Sequence, residues 1–340
     1  MYTPVRIAFV VATCAGMACA QAAAPLEHFG MCDASAAVAI GGDRFLVAND
    51  EDNILRLYRR DISGPALDPV YDESETLRLP GAKKKKDGTE READLEGAAQ
   101  IGQRVYWIGS HGANSDAEFK PERRQLFATD LDDKNGALSV TIFGKPYTGL
   151  LEAMAAHPPM KKYDLLKAAT IAPEKKGGLN IEGLAATPDN HLLIGFRGPL
   201  HRDKALLLPL LNPAELVTPT SGAVTKPQFG DPVELDLGGR GIRSIGYAAR
   251  LRAYLIVAGP RGKKGDFKLY KWTGAAASSP LLLPVEIGDS LRPEALFALA
   301  DGKSFQLLSD DGDEKIHGVA CKESEPPGQR KFRSIVITLP

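Results

Sequence analysis

Apolar runs of about five residues, paired across short polar turns, recur along this chain. Five segments can be laid over one another: Cys32–Asp50, Asp94–Ser110, Asn180–Arg197, Gly241–Gly259 and Arg292–Asp310. Each has a polar residue, a small residue, an apolar run, a turn and a second apolar run. Runs this short, bounded by Gly, Asp and Asn, predict hairpin strands rather than helices. Turn residues agree, at Gly41-Gly42-Asp43, Pro188-Asp189-Asn190 and Asp301-Gly302-Lys303. A third strand is predicted after each pair, at 54–58, 125–129, 204–208, 267–272 and 332–338. A fourth is predicted at 75–79, 140–143, 232–237 and 283–287.

Four antiparallel strands repeated around an axis predict an all-β fold, a β-propeller. Five motifs predict five blades. The long interval between the second and third motifs leaves room for a degenerate sixth. The last blade lacks a fourth strand before Pro340, and the segment around Leu26–Phe29 is placed to supply it from the N-terminus, closing the ring. Within 148–178, Leu150, Leu151, Met154, Tyr163, Leu165, Leu166 and Ala169 have helical spacing, divided by Pro158-Pro159. This predicts a short helical insertion, read as a surface element packed on one blade, with a lid as the alternative.

The N-terminus changes the expected compartment. One basic residue, Arg6, precedes an apolar stretch, Ile7–Ala20, that ends in Ala18-Cys19-Ala20. That pattern predicts a signal peptide over 1–20, and so a secreted or periplasmic protein. An acylated Cys19 is the competing reading, but Gly-Met-Ala before it lacks the usual Leu. The stretch is too short for roughly 30 Å of hydrocarbon, so no stable membrane insertion is expected. The remaining 320 or so residues suit one large repeat domain, 21–340. They retain Cys32 and Cys321, an isolated pair expected to form a disulfide in an oxidising compartment. The formal charge of −1 gives no bias toward nucleic acid. Lys83–Lys86, followed at once by Asp87, Glu90, Glu92 and Asp94, reads as a solvated loop.

Candidate chemistry follows from topology. The first strand of a blade starts on the face to which the second returns, and the innermost strands line the axis. Strand starts therefore bring Asp33, Glu96, Glu182, Arg243 and Glu294 to one mouth. Strand ends add Asp50 with Glu51, Ser110 with His111, Arg197, Pro260 with Arg261, and Asp310 with Asp311. Crowded carboxylates repel unless neutralised. A hard cation such as Ca2+, held in part by Asp310 and Asp311, is one solution. Pairing of Arg197 and Arg243 with Glu182, Glu96 or Glu294 is the other. Glu96, Glu182, Glu294 and His111 are candidate proton-handling groups. Arg197, Arg243, Asp33 and Asp50 are candidate ligand-binding groups. No Gly-x-Ser-x-Gly elbow, P-loop or dinucleotide fingerprint is present.

These motifs carry a resemblance. Phe29-Gly-Met-Cys-Asp-Ala-Ser35, Ala48-Asn-Asp-Glu-Asp-Asn53, Leu95-Glu-Gly-Ala-Ala99, Trp107-Ile-Gly-Ser-His111, Asn180-Ile-Glu-Gly-Leu-Ala185, Ile194-Gly-Phe-Arg197 and Leu307-Leu-Ser-Asp-Asp-Gly312 resemble the bacterial family known as domain of unknown function 3616, over nearly the whole chain. The Glu-Gly repeats are more distantly similar to esterase-like phytase propellers. That likeness implies a propeller and calcium-dependent phosphoester chemistry. The expectation is a metal-dependent hydrolase of an anionic ester or phosphoester. The competing one is a non-catalytic propeller that binds an anionic small molecule, a glycan or an envelope partner.

Overall fold

The computed structural model describes residues 24–339 except 87, 219–224 and 263–264. The expected leader, 1–20, lies outside the described residues. Five sheets form the five blades of a propeller. Their inner strands are Ala36–Ile40, Leu95–Ile101, Asn180–Ala186, Gly241–Ala248 and Pro293–Ala298. Each inner strand packs beside the next and the fifth beside the first, so the ring is closed. Blade faces are apolar because strands alternate, and neighbouring blades bury those faces against each other. Between blades one and two, for example, Leu46, Leu55, Trp107 and Phe127 pack together.

Closure follows the predicted route. Leu26–Phe29 pairs antiparallel with Lys331–Thr338, with Leu26 opposite Ser334 and Phe29 opposite Lys331. A short parallel extension, Gly64–Pro65, then reaches it from blade one. The disulfide Cys32–Cys321 spans a sequence separation of 289 and is buried beside this seam. Beneath it, His28 sits among Phe45, Tyr58 and Phe332, with its Nε2 at 2.8 Å from Ser334 Oγ.

Two predicted outer strands are corrected. The fourth strand of blade one is Leu67–Asp72, whereas Ser74–Leu77 is a short helix started by Asp72 Oδ1 accepting the Ser74 N–H. Leu67–Asp72 is mostly exposed and carries little apolar pattern, since an edge strand has one sheet neighbour. In blade four the outer strand is Leu281–Leu282, before the predicted 283–287. Pro284 has no N–H to continue the ladder. No sixth blade exists among the described residues. The long interval instead holds helical turns at Leu150–Ala156, Pro158–Tyr163 and Leu165–Ala168. Leu150, Leu151, Met154, Met160 and Leu165 are buried against blades two and three. The insertion therefore packs on two blades rather than on the one expected. Of its described residues, only Glu174, near its exit, reaches the axial mouth.

Candidate functional site

Four of the five inner strands carry the same irregularity at the same place. Pairing of Leu95–Ile101 with its neighbour runs from Leu95↔Gly109 to Gly97↔Ile108, which leaves Glu96 without a partner residue. Glu182, Arg243 and Glu294 are skipped in the same way in blades three, four and five. Each is a β-bulge, which inserts an extra residue and re-aims its side chain. The four side chains so re-aimed line one cavity on the axis, together with Asp33, which precedes the unbulged strand of blade one. Gly97 and Gly183 follow two of the bulges. There a Cβ would press on Ile108 and Leu184, or on Ile242. Glu-Gly therefore serves both the bulge and the close approach of inner strands.

The cavity is about 170 Å³. Its wall holds nine carboxylates against four cationic side chains, so the arginines and lysine present cannot neutralise it. The charges are sorted. On the side of blades three to five, Glu182 Oε1 accepts from Asn180 Nδ2 at 2.7 Å and Arg197 Nη1 at 2.8 Å. Arg243 adds contacts from Nη1 to Oε1 at 3.2 Å and from Nε to Oε2 at 3.0 Å, and also pairs with Glu294. Glu182 outweighs the effect of burial on Arg197 and holds its pKa above the ordinary value. Burial, then the neighbouring Arg197, pull that of Arg243 down.

The other side is only partly compensated. Carboxylate oxygens of Asp50, Asp94 and Glu96 lie within 4.8 Å of one another. Glu96 Oε2 and Asp50 Oδ1 are buried and accept no hydrogen bond from the described residues. Burial, then Glu182, Asp94 and Asp50, push the Glu96 pKa far up. Burial, then Asp310 and Glu51, do the same to Asp50. Arg123 Nη1 holds Asp94 Oδ2 at 2.9 Å, but burial still leaves that carboxyl raised. Nearby, Asp33 and Asp310 share a hydrogen bond across a β-bridge. Burial and that bond raise Asp33. For Asp310 the bonds from Asp33 and the Gly312 N–H outweigh burial and lower it.

Orphaned buried carboxylate oxygens facing one another suit a hard cation such as Ca2+, which takes carboxylate oxygens. The expected arginine–carboxylate pairing is present at one side of the mouth, and the carboxylate cluster at the other is Asp50, Asp94 and Glu96 rather than the expected Asp310 and Asp311.

The structure brings together Asp33, Asp50, Glu96, Glu182, Arg197, Arg243, Glu294 and Asp310. It does not bring in two others. Asp311 lies outside the cavity wall, with its oxygens taken by Arg333 at 2.7 and 2.8 Å and by Ser309 Oγ at 2.7 Å. It anchors the last strand and is not placed to hold the cation. His111 is fully buried outside the wall, its Nδ1 donating to Gly109 O at 2.8 Å, and burial lowers its pKa to about 4. That ring is a local brace rather than a proton shuttle for the mouth. Arg261 flanks the mouth without lining it. Sequence reasoning missed Asp94, Glu174, Arg292, Asp313 and Lys322. Asp94 precedes the strand with left-handed backbone, so strand alternation gave no signal for it.

A sequence profile of one family matches residues 33–138 and 148–302. No curated protein matches the chain in sequence. Among solved structures, the PQQ-bound aldose sugar dehydrogenase of Streptomyces coelicolor is similar at 13% identity and a TM-score of 0.42, over 93% of this chain and 98% of that one. The glutaminyl cyclase of Myxococcus xanthus is similar at 11% identity and a TM-score of 0.48, over 94% and 97%. The virginiamycin B lyase of Staphylococcus aureus, in a catalytically inactive form with quinupristin, is similar at 9% identity and a TM-score of 0.38, over 93% and 99%. None of these likenesses carries an activity across. The bulged Glu-Gly motifs that build the mouth lie inside the matched ranges, and the chain belongs to the family described as "Protein of unknown function (DUF3616)".

Proposed function

We propose that the axial mouth is a cation-dependent site for hydrolysis of an anionic ester, a phosphoester above all, in a secreted or periplasmic protein. The observation behind this is the trio Asp50, Asp94 and Glu96, with its buried and unpartnered Glu96 Oε2. Ca2+ is the ion whose preference for carboxylate oxygen fits the trio best. When bound, it would supply electrostatic stabilisation of charge developing on the ester oxygens. The chain's own contribution is orientation. Glu182 fixes Arg197 and Arg243 at the opposite wall, where cationic donors favour an anion. Asp33, whose pKa burial and its bond with Asp310 raise, is a wall carboxyl outside the trio that could donate a proton. No Ser, Thr, Cys or His lines the cavity among the described residues, and in this reading the nucleophile is water.

The test is calcium binding by calorimetry, followed by turnover of phosphomonoesters, phosphodiesters and carboxyl esters with and without calcium. Calcium-dependent release from one class is expected. Absence of turnover for every class removes the hydrolase reading. One observation favours a second reading, a binding propeller: both central arginines are already engaged by Glu182. Ligand-induced stabilisation without consumption of the ligand would support it.

A further inference from the structure

The mouth does not stand alone. A groove of about 630 Å³ adjoins it and shares Asp33, Glu51 and Lys322 with its wall. That groove runs between blade one, the lysine-rich loop at Lys84 and Lys85, and the segment at Pro327 and Arg330. A second hollow, of about 390 Å³, adjoins the mouth elsewhere and shares Glu174, Pro260 and Gly262. It is bounded by the exit of the helical insertion at Lys176 and by Arg240 and Arg261 of blade four. The two arms share no wall residue with each other among the described residues. The three together form a trough across the top face, with the carboxylate trio and the arginines at its middle.

Ligand pockets usually measure about 300–1,000 Å³. At about 170 Å³ the central cavity holds the charged head of a ligand and little more. A terminal monoester has one organic substituent and would fill one arm. An ester whose phosphorus carries an organic group on each side would fill both. The arms also indicate what those groups are. Their walls mix carboxylates, amides and cations, and among the described residues neither contains a Phe, Tyr or Trp. Single-stranded nucleic acid is ordinarily held by bases stacked on aromatic rings. In the larger arm, Arg56 and Lys84 are already paired, with Asp52 and Glu90. Its remaining carboxylates and the amides of Asn49 and Asn53 suit the hydroxyl groups of a ligand.

We propose that the ligand of this trough is a phosphodiester within a chain of polyol or sugar units, bound across the axis. The proposal deepens the hydrolase reading and rests on it for the reaction, but not for binding. In the reaction, the water oxygen forms a bond to phosphorus and the bond to one bridging oxygen breaks with its electron pair. The departing oxygen takes up a proton, and the water loses one. The products are a monoester and an alcohol, and no co-reactant but water is consumed.

The experiment compares, in calcium, glycerol 1-phosphate with a hexamer of glycerol phosphate by calorimetry, and follows turnover of both separately. The hexamer is expected to bind at least about tenfold more tightly. Ser74→Trp, which adds bulk in the larger arm, and Arg261→Ala in the smaller are each expected to remove most of that gain. Unfolding curves check that both variants are folded. Equal affinity for monomer and hexamer, or no binding of either, overturns the proposal. An oligodeoxynucleotide that binds as tightly as the hexamer overturns it in favour of nucleic acid. Preferential binding of the hexamer without turnover keeps this proposal and removes the hydrolase reading alone.

Discussion

Arg243→Met is the most informative single change, because it separates the ion-paired side of the mouth from the rest. The guanidinium is buried, with side-chain exposure of 6%, and it serves Glu182 and Glu294, at 1% and 8%. At an effective dielectric near 20, a pair of unit charges about 3 Å apart interacts by about 5 kcal/mol before desolvation is counted. Breaking a buried pair by removing one partner costs about 3–5 kcal/mol, because it strands the other charge. Glu182 would keep Arg197 and Asn180, whereas Glu294 has no other ion pair among the described residues. The loss should therefore concentrate on Glu294. The assay is urea unfolding without calcium at neutral pH, for the wild type, Arg243→Met, Glu294→Gln and the double variant. Arg243→Met should lose about 3–5 kcal/mol, and adding Glu294→Gln should restore most of it. The sign of the pH effect follows. A buried carboxylate that has lost its partner destabilises only while charged, so the deficit should shrink as pH falls and the group is protonated. A loss within about 0.5 kcal/mol, or no recovery in the double variant, would refute the account of the mouth as a charge-sorted site.

Three other outcomes are expected. Glu96→Gln should abolish calcium-induced stabilisation while leaving the protein folded, read as the change in melting temperature on adding calcium. His28 is neutral in its buried cage, its pKa lowered by burial from 6.5 to about 4. Its contribution, about 3 kcal/mol, should be present above pH 6.5 and lost as pH falls to about 4. Stability of His28→Asn across that window should fall less steeply than that of the wild type, and equal slopes would refute the assignment. Cys32→Ser with Cys321→Ser opens a loop of 289 residues, worth about 5–6 kcal/mol on chain-entropy reasoning. Calorimetric melting should drop by roughly 8 °C, and an unchanged transition would contradict it.

The repeat was legible because each hairpin buries an unbroken apolar run, such as Phe45-Leu-Val-Ala48 against its neighbours. Outer strands were less legible. Leu67–Asp72 buries little, so burial left no period in its residues. The mouth was largely legible, since Glu96, Glu182, Arg243 and Glu294 occupy one position of the repeat. The bulge that aims them was not, because an extra residue in a ladder changes pairing without changing hydrophobicity. Asp311 and His111 misled for a common reason. Position at a strand end does not say which partner a side chain finds, and here Arg333 and Gly109 O were the nearer ones.

The seam at Leu26–Phe29 has a consequence for how the molecule comes into being. This strand is synthesised long before its partner, Lys331–Thr338. Until that partner has left the ribosome, the fifth blade lacks its outer strands, and Cys32 has only just met its mate. A nascent chain therefore spends nearly its whole birth with an unpaired sheet edge open to other chains. Truncation before Lys331 should accordingly yield aggregates rather than a shorter folded protein.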